Sequence, residues 1–167
     1  MMIKIRSIGD PASIAAARSL VRAHLAAHSA MHDAEAVERV VATLPEPYVA
    51  PHGVLWLAWE GDEALGCIAL HEIAPDTAEL KRMYVRPESR GRGVARQLTE
   101  HAIEVATARG YARLRLGTLP SMHAAQQLYA SLGFRRVPAY RSVELGETWF
   151  YERPLGGGRK RAGVHGC

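Results

Sequence analysis

Residues 3–8, IKIRSI, alternate apolar and polar side chains with the period of two that puts every second residue of a strand on one face. Asp10 and Pro11 follow, a side chain that can cap a helix and a proline suited to its first turn. The period then changes. Ile14, Ala17, Val21, Leu25 and His28 recur at spacings of three and four, which predicts a helix with one apolar stripe and with Arg18 and Arg22 on another face. After a break over Ser29 to Asp33, Val37, Val40, Val41 and Leu44 form the stripe of a second helix, ended by Pro45 and Pro47.

Two apolar runs flank Glu60-Gly61-Asp62-Glu63 in VLWLAWEGDEALGCIALHEI and predict an antiparallel hairpin. Residues 77–85, TAELKRMYV, give the next strand, stopped by Pro87. From Val94 to Arg109 a helical stripe runs through Leu98, Ala102, Val105 and Ala106, and Gly110 stands where a left-handed end residue belongs. Residues 111–118 alternate as a strand. Ser121 is expected to cap a helix with the face Ala125, Leu128, Tyr129 and Leu132, closed by Gly133, with Phe134 folding back on its last turn. FRRVPAY and ETWFYERPL predict two final strands. The order β-α-α-β-β-β-α-β-α-β-β defines an α/β fold, a mixed sheet with helices on both faces. One domain is expected over residues 1–155, followed by a flexible glycine-rich basic tail over 156–167.

Composition narrows the partners. At 48% hydrophobic and 23% charged residues the chain is globular, and no stretch is apolar enough to span a membrane. The start, MMIKIRSIGD, is charged where an export signal needs an apolar run, and two cysteines, Cys67 and Cys167, make no disulfide framework, so a cytoplasmic protein is expected. Of the formal net charge of +4, the tail GGGRKRAGVHGC carries three charges, Arg159, Lys160 and Arg161. Three charges release few counterions, which argues against a nucleic-acid partner. His24, His28 and His32 lie four apart, but no carboxylate or cysteine completes a metal set, and no metal is expected.

The chemistry concentrates in SRGRGVAR, residues 89–96. A dinucleotide fingerprint would need a third glycine at position 96, which is Arg96, and no Gly-Lys-Ser/Thr of a nucleotide-triphosphate loop follows. What remains is a short glycine loop entering a helix, where free amides and the helix dipole favour an anion. Gly91 and Gly93 would admit phosphate oxygens to the backbone, and Arg90, Arg92 and Arg96 add charge. A solvated arginine turn that uses glycine for its backbone angles fits this octapeptide equally well.

Read with its neighbours, LKRMYVRPESRGRGVARQLTEHAIEVA resembles the acetyl-CoA-binding segment of the GNAT superfamily, the GCN5-related N-acetyltransferases: Arg90, Gly93 and Ala95 meet its loop pattern. AAQQLYASLGF, residues 124–134, resembles the family's tyrosine helix and following strand, and the element order agrees from residue 3 to about 155. The resemblance implies a splayed central strand pair. Its exposed backbone at Met83, Tyr84 and Val85 would pair with the pantetheine arm of acetyl-CoA, with the pyrophosphate on the amides of residues 91–96, that is Gly91, Arg92, Gly93, Val94, Ala95 and Arg96. It also implies transfer of the acetyl group to a primary amine by direct attack, with Tyr129 as acid for the departing thiolate and a backbone N–H near Met83 for the oxyanion. A fold that binds acyl-CoA without transferring is the alternative. Glu79 is the candidate general base, on the face of Lys81, Met83 and Val85 and about 13 Å from Met83, thus acting through water; an ordinary salt bridge is the other reading, and His71 and Glu72 are alternative bases. Many members carry an asparagine where this chain has Met122, so cofactor contacts from that helix start would fall to Ser121. The acceptor is unspecified, Ser29 to Asp33 is the expected seat of its selectivity, and the late strands offer an edge to a homodimer.

Overall fold

The computed structural model describes residues 2–27, 33–142 and 147–156. Elements follow the expected order: β1 (Lys4–Ser7), α1 (Pro11–Ala27), α2 (Ala34–Thr43), β2 (Gly53–Glu60), β3 (Glu63–Ala74), β4 (Thr77–Val85), α3 (Val94–Ala108), β5 (Arg113–Thr118), α4 (His123–Ser131), β6 (Arg135–Val137) and β7 (Trp149–Pro154). A single 3-10 turn, Pro87–Ser89, leads from β4 to the glycine loop. His28, residues 29–32 and the tail from 157 onward lie outside the described residues.

Local chemistry explains most boundaries. Asp10 accepts a 2.7 Å hydrogen bond from the Ser13 amide at the start of α1, and Asp33 accepts one of 2.7 Å from the Ala36 amide at the start of α2. Gly110 and Gly133 end α3 and α4 with φ of 86° and 89°. Ser121 is a correction: the residue preceding α4 is Met122, and no side chain caps it. Arg18, placed off the apolar stripe of α1, donates through Nη2 to the Leu44 carbonyl at 2.8 Å and ties α1 to the end of α2.

The strands form one sheet in the order β1-β2-β3-β4-β5-β7-β6. Its pairs are antiparallel apart from β4 with β5, which run parallel. Each face carries its own core. Leu55, Leu57, Cys67 and Ala69 meet α1 and α2, and Trp56, Ile68, Leu70 and Leu80 meet Leu98 and Ala102 of α3. Burial of both faces is why β2 and β3 read as nearly unbroken apolar runs rather than as alternation.

Two irregularities in β4 shape everything that follows. Pairing with β5 runs only from Thr77 opposite Arg113 to Leu80 opposite Leu116, although β4 continues to Val85. The two strands part after Leu80, as the resemblance implies. On its other side, β4 pairs Lys81 with Ala69 and Tyr84 with Cys67, so Arg82 and Met83 together oppose Ile68 alone. This bulge puts Arg82 at a φ of 56° and reverses the phase of the strand. Glu79 therefore does not share a face with Met83 and Val85: beyond the bulge those two join Ala78 and Leu80 on the α3 side, while Tyr84 turns to the α1 side.

Candidate active site

The loop between β4 and α3 is built around two left-handed glycines, Gly91 with φ 78° and Gly93 with φ 80°. A Cβ added at either would find no atom within 4 Å, so the backbone there faces open space. The first helical bond of α3 runs from the Gln97 amide to the Gly93 carbonyl at 3.0 Å, which leaves the amides of Val94, Ala95 and Arg96 without helical acceptors. Free amides, the positive end of a helix and open space over glycine fit a diphosphate. Arg90 braces the loop: its Nε donates to the Val85 carbonyl at 3.0 Å and its guanidinium stands 5.8 Å from the Tyr84 ring centre.

These residues wall a groove of about 750 Å³. Met83, Tyr84, Val85, Arg90, Gly91, Gly93, Val94, Ala95 and Arg96, all expected at the cofactor, line it, and Ser121 and Met122 close it from the start of α4. Arg92 does not. Its guanidinium is paired with Glu60 at the end of β2, because the left-handed glycines on either side swing it out of the groove. Arg96 lines the groove with its guanidinium tethered to Ser131 Oγ at 2.8 Å and Glu100 at 3.6 Å.

Where β4 and β5 part, a second cavity of about 210 Å³ opens. Lys81, Arg82, Thr118, Tyr129 and Arg141 line it, and Met83, His24 and Met122 line both cavities. Tyr129, buried at 6% exposure, is held edge-on to Phe134 at 5.7 Å by the turn that Gly133 makes. Burial pushes its hydroxyl up to about 12, so it stays protonated across the physiological range.

Glu79 is buried at 1% exposure beneath this cavity and is fully engaged. His71 Nε2 lies 3.3 Å from its Oε1, Lys81 Nζ 3.6 Å away and Arg141 Nε 3.4 Å from its Oε2, while Tyr140 donates its hydroxyl to Oε2. Burial would raise its carboxyl, but the hydrogen bonds from His71 and Tyr140 and the charges of Lys81 and Arg141 outweigh burial and bring it down to about 2. A folded-state pKa below the ordinary 4.5 contributes stability that is present above that value and lost as pH falls towards 2. At about 1.4 kcal/mol per pKa unit the contribution is about 3 kcal/mol. Glu79→Gln should accordingly be less stable than the parent by a few kcal/mol at neutral pH, on the order of that contribution, with the gap narrowing as pH falls from about 4.5 towards 2. Urea melts across this range measure it, and a gap independent of pH would contradict the assignment.

Sequence reasoning missed Tyr140, Arg141, Arg82 and Thr118. Tyr140 closes the predicted strand FRRVPAY, but β6 ends at Val137, so Tyr140 and Arg141 lie in irregular chain beyond it. Of the two alternative bases, His71 faces Glu79, whereas Glu72 turns away to accept from the Tyr111 hydroxyl at 3.0 Å and to pair with His52 at 3.0 Å. Cys67 is buried, its thiol donates to the Arg82 carbonyl at 3.1 Å, and burial pushes it up to about 12, far from a nucleophilic thiolate. Among the described residues no group of three or more histidine, cysteine or acidic side chains could hold a metal, and no helix is long and apolar enough to cross a membrane.

The parted strands, the glycine loop and the buried tyrosine place the protein among acyltransferases, and comparison names the family. The chain belongs to the Acetyltransferase (GNAT) family, whose model matches residues 18–134. The uncharacterized N-acetyltransferase YsnE of Bacillus subtilis (strain 168) is 39% identical over 119 residues, covering 70% of this chain and 77% of YsnE. N-acetylaspartate synthetase of Danio rerio is 37% identical over 116 residues, covering 68% of this chain and only 38% of that protein. In fold, the chain is similar to PaiA N-acetyltransferase from Thermoplasma acidophilum, solved in complex with coenzyme A, with a TM-score of 0.72 at 19% identity over 92% of this chain and 99% of that one.

Proposed function

We propose that this protein transfers the acetyl group of acetyl-CoA to a primary amine by direct attack within a ternary complex. One observation carries the reading: the groove with the anion cradle and the inner cavity meet at Met83, within a wall completed by His24 and Met122. A long cofactor lying in the first would present its reactive end to an amine in the second. Acetyl-CoA supplies a thioester, whose acyl carbon the amine attacks and whose sulfur departs as thiolate.

The chain's own residues do the rest. The stretch of β4 beyond its pairing with β5, at Met83, Tyr84 and Val85, offers backbone groups on that side to the amide-bearing arm, and the loop of residues 91–96 receives the diphosphate through the amides of Val94, Ala95 and Arg96. A backbone N–H at Met83 would donate to the oxyanion. Tyr129 would donate a hydrogen bond to the departing sulfur. With its hydroxyl at about 12 and a thiol near 8.5, complete transfer of its proton would be uphill, so stabilisation of the thiolate by donation is its contribution. Glu79 keeps a place with an altered role. At a pKa of about 2 it is a poor proton acceptor, and its anion serves to position Lys81, Arg141, Tyr140 and His71.

N-acetylaspartate synthetase takes its name from an acetylated amino acid. An amine of that size fits the inner cavity of about 210 Å³. Purified protein with acetyl-CoA and a panel of primary amines, scored by thiol release and by the mass of the acetylated product, should show transfer to at least one small amine. Tight coenzyme A binding with no transfer to any amine would favour a binding module instead.

A further inference from the structure

The inner cavity has an excess of positive charge. Lys81, Arg82 and Arg141 line it, and among the described residues the carboxylate beside them is Glu79, shared by Lys81 and Arg141. Arg82 is bound through Nε to the Tyr48 hydroxyl at 3.2 Å, with no described carboxylate within ion-pair distance. Its backbone supplies a second observation. An arginine at a φ of 56° sits in a region that side-chain-bearing residues occupy at a cost, and such strain persists where the surroundings impose it. Here the strain falls on a basic residue that lines the cavity.

A third, independent observation is polar. Thr118, 7% exposed, lines the same cavity, and its Oγ1 has no hydrogen-bond partner among the described residues. A buried hydroxyl left in this state costs stability unless something fills the cavity and bonds to it.

We infer that the acceptor is a small amine bearing a carboxylate, held by the guanidinium groups of Arg82 and Arg141 and by the Thr118 hydroxyl, with its amino group towards Met83. This deepens the transferase reading and rests on it. The same cations serve the chemistry in a second way. Positive neighbours disfavour the ammonium form of a bound amine, so the acceptor enters the site closer to its nucleophilic neutral state without a strong protein base. A polyamine or other multiply charged cation would meet repulsion instead.

The test compares acceptors that share an amine and differ in the carboxylate: glycine against glycinamide, and aspartate against asparagine amide, with putrescine as the cation. Acids should exceed their amides by about 10-fold or more in kcat/KM, with putrescine last. Arg141→Gln, at a partly exposed position where folding is least at risk, should remove most of that preference through KM while leaving coenzyme A affinity unchanged, and Arg141→Lys should restore part of it. Thr118→Val should weaken the acids and spare the amides. Amides matching or exceeding the acids, or a preference untouched in Arg141→Gln, would overturn the inference. Calorimetry on protein saturated with coenzyme A separates the two readings. Acids that bind and are never acetylated would sink the transferase reading and support the anion site; turnover without a preference for acids would do the reverse.

Discussion

Tyr129→Phe should lower kcat by about 10- to 100-fold while leaving the fold intact. A hydrogen bond to a charged partner contributes roughly 1.5–3 kcal/mol, and each 1.4 kcal/mol or so is tenfold in rate. The thiolate develops only as the thioester breaks, so the loss belongs in kcat with little change in affinity for acetyl-CoA. Stability moves differently. The ring is buried and packs on Phe134 and Tyr151, so phenylalanine keeps the packing and removes a polar group from an apolar setting. Tm should stay level or rise slightly. Thiol-release kinetics alongside a thermal melt test both parts; unchanged turnover would remove Tyr129 from the mechanism, and a collapsed Tm would make its role structural.

Gly93→Val should weaken coenzyme A binding by about 30-fold or more. Valine at a φ of 80° is strained by roughly 1–3 kcal/mol, and the loop can relieve this only by rotating the amides that begin α3 away from the diphosphate. Each charge-assisted bond so lost costs about 1.5–3 kcal/mol. Gly93→Ala separates the causes, since it meets the same backbone conformation with a smaller side chain. If strain dominates, alanine and valine lose affinity alike; if bulk over the amides dominates, valine loses far more. Affinity unchanged in calorimetry for both would return the loop to a solvated arginine turn.

The fold was largely legible because its signals are local. The cap at Asp10, left-handed glycines at 110 and 133, and the two-residue turn between Glu60 and Glu63 each act within a few residues, whereas the cap at Asp33 lies in a stretch legible only as a break. The groove was legible for a related reason: Gly91 and Gly93 serve the backbone rather than a distant partner. The inner cavity was not. Its members come from α1, β4, β5, α4 and the chain between β6 and β7, brought together by a sheet order that no short window encodes. The bulge is the sharpest case. A pattern of alternation cannot show where one residue is extra, and Arg82 reverses the phase so that Met83 and Glu79, four apart, part company. Ser121 failed differently: it has the chemistry of a cap, yet the chain turns one residue later.

Met83, His24 and Met122 belong to both cavities, and on the transferase reading this shared wall would couple the two ligands. A cofactor seated in the groove would become part of the wall against which the acceptor packs, so each ligand's affinity would depend on whether the other is present. That dependence is reciprocal: whatever factor the cofactor adds to acceptor affinity, the acceptor must return. The acceptor alone would meet an unfinished pocket and bind weakly, favouring a sequence of binding in which the cofactor comes first. Bystander amines would then gain no hold on the empty protein.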